Sequence, residues 1–74
     1  MATTERADYA FIVKEHGDGT PWIMCELRGG MGLSILNNAL LGFELPPGTD
    51  IKKAQTIARF LNDNLRDISH TTLP

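Results

Sequence analysis

Apolar positions along the chain change rhythm several times, and each change marks an element. Tyr9 to Glu15, YAFIVKE, is dense in aromatic and β-branched residues, the composition of a strand. HGDGTP follows, and Asp18-Gly19 is a strong hairpin signal because glycine takes the positive φ that tight turns require. Pro21 to Leu27, PWIMCEL, is the return strand. With Asp18-Gly19 at the turn centre, Val13 faces Met24 and Phe11 faces Glu26. Ile12 then faces Cys25 and Ala10 faces Leu27, on the opposite side of the pleat. Both sides of this hairpin carry apolar residues, whereas a sheet with one wet face alternates cleanly.

The next segment reads two ways. Leu33, Leu36 and Leu40 have helical spacing, while Asn37-Asn38 is a good turn pair because asparagine tolerates left-handed backbone. The preferred reading is a short strand at 33–36, a turn at Asn37-Asn38 and a strand over 40–45. In that last strand Leu41, Phe43 and Leu45 share one face, with Gly42 and Glu44 on the other. PPGTD then stops the strand. Thr49 or Asp50 caps a helix over 51–68, and Asp50 also suits the positive end of the helix dipole. Ile51, Ala54, Ile57, Ala58, Phe60, Leu61, Leu65 and Ile68 fill one half of its circumference.

These elements predict an α+β fold: a two-layer sandwich in which an antiparallel sheet of three or four strands, β-β-(β)-β-α, is packed by one C-terminal amphipathic helix. MATTERA, residues 1–7, is polar and unpatterned and reads as a flexible N-terminus; 8–69 form a single domain, and 70–74 a flexible tail.

Composition narrows the function. A chain of 74 residues forms one domain and buries only about 60% of the surface it exposes unfolded, so its own core is marginal. The single cysteine, Cys25, allows no internal disulfide. A lone thiol, with no basic-plus-apolar leader in MATTERADYA, predicts a cytoplasmic protein. No apolar run approaches the ~20 residues of a membrane span. A net charge of -2 gives no bulk attraction to nucleic acid.

The chemical motifs are weak. RGGMG, Arg28 to Gly32, resembles the start of a dinucleotide loop, but Ile35 stands where the third glycine belongs, and no βαβ unit fits the chain. A strand connection is the plainer reading; Arg28, Gly29, Gly30 and Gly32 are retained as candidates for holding a small anion. His16, Cys25 and His70 lack zinc-motif spacing, so no metal site is expected. Ser34, Ser69 and Cys25 lie near no patterned base, and the acidic residues are scattered, which points away from an enzyme. Lys52, Arg59 and Arg66 recur every seven residues, but Asp63 and Asp67 neutralise that stripe. No cofactor is expected.

What remains is surplus apolar surface. One helix covers one face of a small sheet, yet the hairpin is apolar on both faces and the helix on half its girth. A symmetric homodimer would bury the remainder, with Ile12, Trp22 and Phe60 as the expected interface residues.

The run YAFIVKEHGDGTPWIMCEL followed after a gap by GTDIKKAQTIARFLNDNL resembles the HicB-like antitoxins, whose domain is a small sheet backed by one helix. In that family a Pro-Gly-Cys-type segment follows the second strand, where RGGMG stands here, and an acidic residue precedes the helix alanine, where Lys53 precedes Ala54. The Pro-Gly-Thr helix start is also similar to that of many short bacterial proteins. The leading expectation is a small non-enzymatic protein-interaction module that self-associates. The resemblance implies a first alternative, an antitoxin-like regulator that binds a small toxin protein. A second is a small-ligand binder or enzyme with a site shared between subunits, near Arg28, Glu26 and the glycine loop.

Overall fold

A computed structural model describes residues 2–73. The elements are β1 (Thr3–Glu15), β2 (Pro21–Leu27), a 3-10 turn (Ser34–Leu36), β3 (Leu41–Glu44), α1 (Ile51–Asn64) and β4 (Asp67–Thr72). The fold is α+β: one antiparallel sheet of four strands in the order β3-β2-β1-β4, and one helix. The helix makes its main contacts with β1 and β2. Among the described residues no helix is long and apolar enough to cross a membrane.

The first hairpin forms where expected, but its register differs by one residue. Phe11 lies opposite Cys25, Val13 opposite Ile23 and Ile12 opposite Met24. The cause is the turn. His16 O accepts from Gly19 N–H at 2.9 Å, and His16 N–H donates to Thr20 O at 2.8 Å. Gly19, at φ 87°, is therefore the third residue of a three-residue loop, Gly17-Asp18-Gly19, rather than the second of a two-residue turn. The Asp18 carboxylate accepts from the Thr20 N–H and hydroxyl, at 3.0 and 2.7 Å, and fixes the return. A one-residue slip moves every partner to the other side of the pleat. The observed register gathers Ala7, Tyr9, Phe11, Ile23 and Cys25 on one buried face. Ala10, Ile12, Trp22 and Met24 lie together on the other.

Two further differences have identifiable causes. Residues 33–36 are not a strand: Leu33 is buried and Leu36 half-buried, three positions apart, and a 3-10 turn places both against the core. The turn at Asn37-Asn38 is present, with Asn38 at φ 63° and Ala39 N–H donating to Leu36 O at 3.0 Å. The helix starts where expected, Asp50 accepting from Lys53 N–H at 2.7 Å, but it ends at Asn64 instead of continuing to Ile68. Leu65 takes an extended conformation, and Ile68 joins the core from a strand, opposite Ala7.

The helix is therefore not the last element. β4 occupies most of the segment read as a flexible tail and pairs with Thr3–Asp8, most of the segment read as a flexible N-terminus. Met1 and Pro74 lie outside the described residues. β1 is thus shared lengthwise: its first half pairs with β4 and its second half with β2.

The helix meets the sheet through its smallest side chains. Ala54 and Ala58 are buried, with Ile57 and Leu61 flanking them. Leu33 packs in from the connection after β2, and Phe43 brings its ring to 6.2 Å from that of Phe11. Ile23 is the one large side chain buried to 1% exposure.

Candidate functional site

Asn62 continues the line Ala54-Ala58 by one more helical turn, so it points at the sheet. Its Oδ1 accepts from Phe11 N–H and its Nδ2 donates to Phe11 O, both at 2.8 Å. The side-chain amide thereby occupies the edge of β1 just beyond the start of β4, pairing the backbone as a strand would. Asn62 is not among the residues that the sequence places on the apolar half of the helix. Its spacing of four from Ala58 was the available signal.

The glycine-rich connection is tied down by two anchors. Tyr9 Oη accepts from Leu33 N–H at 3.1 Å, and a Cβ on Gly32 would lie 2.8 Å from that same oxygen. Glu5 accepts from the Ser34 hydroxyl and, at 3.3 Å, from the Ser34 N–H. The hydroxyl bond, reinforced by the N–H, holds the Glu5 carboxyl below its ordinary value.

The anion candidates separate. Arg28 lies in a polar cleft of about 400 Å³ with Asp8, Asn62, Asp63 and Arg66. Its Nε is 3.5 Å from Asp8 Oδ1, an ion pair without hydrogen-bond geometry, since that oxygen has no hydrogen-bond partner. Gly32 instead lines a second cleft, open and about 710 Å³ in volume, with Met24, Leu33, Leu36, Leu41 and the carboxylates Glu5 and Glu26. Gly29 and Gly30 line neither cleft. The run Arg28 to Gly32 is thus divided between a polar and a largely apolar opening.

The expected interface residues also separate. Ile12 and Trp22 are half-buried and share the sheet face opposite the core. Phe60 stands on the helix, 64% exposed, away from that face. Trp22 lies opposite Lys14 and covers Gly42, where a Cβ would come within 2.5 Å of the indole ring. His16 stacks on Trp22, ring centres 5.6 Å apart at 16°, while its Nε2 is 2.7 Å from Glu44 Oε1. An exposed turn histidine thus ties the hairpin to β3.

Cys25 is buried on the core face, and burial raises its thiol pKa above the ordinary value. Among the described residues His16, Cys25 and His70 do not converge, and no cluster of three or more His, Cys, Asp or Glu side chains forms. Comparison with known protein families, curated proteins and solved structures finds no match to this chain.

Proposed function

We propose that the protein is a small interaction module that works by self-association and by binding a protein partner. In this reading the helix and sheet form a two-layer sandwich, and its bare outer face is the working surface. The observation that carries the reading is an excess of surface. The chain exposes 5539 Å², whereas a compact 8.2 kDa monomer exposes about 4,500 Å². The surplus, about 1,000 Å², is the area one partner contributes to an ordinary stable interface, about 800 Å². The radius of gyration of 13.9 Å points the same way, since a compact domain of this length has about 11 Å.

Ala10, Ile12, Trp22 and Met24 form the apolar part of the bare face. Light scattering across a concentration series tests the reading. A dimer is expected at micromolar concentration, and a monomer throughout would refute self-association. A Trp22→Ala variant tests the face: the dimer is kept and capture of a heterologous partner is lost.

A second reading is favoured by the larger cleft, whose largely apolar lining includes the carboxylates Glu5 and Glu26. That arrangement fits a small cationic, partly apolar ligand. Chemical-shift changes at Met24, Leu33 and Leu41 on titration with such amines would support it.

A further inference from the structure

We infer that two copies of the chain join edge to edge along β4, making one continuous antiparallel sheet; this rests on the self-association proposed above. Arg28 N–H donates to Asp8 O on the β2 side of β1, so the even-numbered residues of β1 direct their backbone groups toward β2. The odd-numbered residues face the other way, as Phe11 shows by bonding Asn62. Thr3, Glu5 and Ala7 therefore exchange hydrogen bonds with Thr72, His70 and Ile68. Asp67, Ser69 and Thr71 are left with their N–H and C=O groups directed outward.

This edge differs from the others. On β3 the comparable positions are only Gly42 and Glu44. On the second half of β1, Asn62 closes the edge at Phe11. β4 offers six extended residues, DISHTT, with no proline, lysine or arginine to block pairing. It also belongs to a ribbon only two strands wide, because β2 stops at Leu27, opposite Tyr9. Two-stranded ribbons are marginal in water, and a third strand stabilises them.

The strand is complementary to itself. In an antiparallel pair centred on Ser69, each Ser69 opposes its copy, Asp67 opposes Thr71, and Ile68 opposes His70. The outward groups of three residues per copy then meet in about six hydrogen bonds. No carboxylate opposes a carboxylate, and Ile68 of both copies extends the buried face. The helix-free face is also continuous across the junction, which leaves Ile12 and Trp22 free for a different protein.

The test is Ser69→Pro, combined with amide exchange on the unmodified protein. The Ser69 N–H bonds nothing in β1, and proline is tolerated on an edge strand, so the fold survives while the central pairing bond is lost. The expected result is a wild-type dimer whose Ser69 and Thr71 amides exchange slowly when concentrated and quickly when diluted, with Ile68 and His70 protected in both. Ser69→Pro is expected to weaken dimerisation at least about tenfold, with an unchanged circular dichroism spectrum. A dimer with fast-exchanging Ser69 and Thr71 amides overturns this junction but keeps self-association, whatever the folding of the variant. A monomer at all concentrations overturns both. A monomer whose Ser69 and Thr71 amides become protected only when an unrelated extended peptide is added would mean the edge serves foreign strands and overturn the choice of a second copy.

Discussion

Replacing Asn62 by alanine removes two hydrogen bonds at one stroke, each 2.8 Å long and each to a part-buried backbone group of Phe11. A neutral hydrogen bond contributes about 0.5–1.5 kcal/mol net, so the pair contributes about 1–3 kcal/mol. Asn62 is only half-buried, and water reaches part of the vacated edge, which places the expected loss at about 1–2 kcal/mol. For a domain of this size that lowers the melting temperature by about 5–15 °C. The assay is urea unfolding at fixed protein concentration, followed by Trp22 fluorescence, with amide exchange as a site-specific readout. The Phe11 amide should lose protection, while Ile12, which bonds toward β2, keeps it. Asn62→Asp sharpens the test. At neutral pH its carboxylate accepts from Phe11 N–H but faces the Phe11 carbonyl with no proton to donate. Protonation restores a donor, so the deficit relative to wild type should shrink as pH falls through the carboxyl's range. A loss below about 0.5 kcal/mol, with Phe11 protection unchanged, would refute the view that this amide closes the strand edge.

Other predictions are as direct. Ile23→Ala empties the best-buried large side chain and should cost about 2–5 kcal/mol, a large part of the stability of so small a domain, read by thermal melting. Gly42→Val places a branched side chain where the Trp22 ring lies, so the emission of the single tryptophan should shift red as the ring is displaced. The Glu5 carboxyl should titrate below a free glutamate in NMR and move back toward it in Ser34→Ala. Because its folded value is the lower one, its contribution is complete above the ordinary carboxylate range and is lost as pH falls through the depressed value. The Cys25 thiol should resist alkylation until urea unfolds the chain. Its raised value makes the folded state lose ground at alkaline pH, where the unfolded thiol ionises first.

The parts legible in the sequence were those that local chemistry dictates. Asp18-Gly19 announced the hairpin, Asp50 the helix start, and Asn37-Asn38 a turn. Leu41 and Phe43 did fall on one face, opposite Cys25 and Ile23. The register was not legible, because Gly19 serves equally as the second or third residue of a turn and only the flanking ladder decides. β4 was hidden for a different reason. Its core-facing positions are Ile68, His70 and Thr72, a weak alternation, and its partner lies at the far end of the chain. Leu65 and Ile68 also happen to continue the helical apolar arc, which drew the predicted helix four residues too far. Of the candidate interface residues, Ile12 and Trp22 share a face only in the observed register; the predicted register set them on opposite sides of the pleat. Asn62, Glu5 and the Tyr9 hydroxyl act through contacts with backbone remote in sequence, and no local pattern announces those.

The lengthwise division of β1 also sets an order of events during folding. Its second half meets β2 across a three-residue loop, the kind of contact that closes in microseconds. Its first half must wait for Asp67–Thr72, since Thr3 pairs with Thr72 and Asp8 with Asp67. Closing so long a loop carries an entropic cost that local contacts do not share, and such non-local pairings slow folding. On a growing chain, Thr3–Asp8 emerges before Asp67–Thr72 and stays without that partner until the later segment has been synthesised. The same strand that organises the finished sheet is therefore the one most in need of protection while the chain is being made.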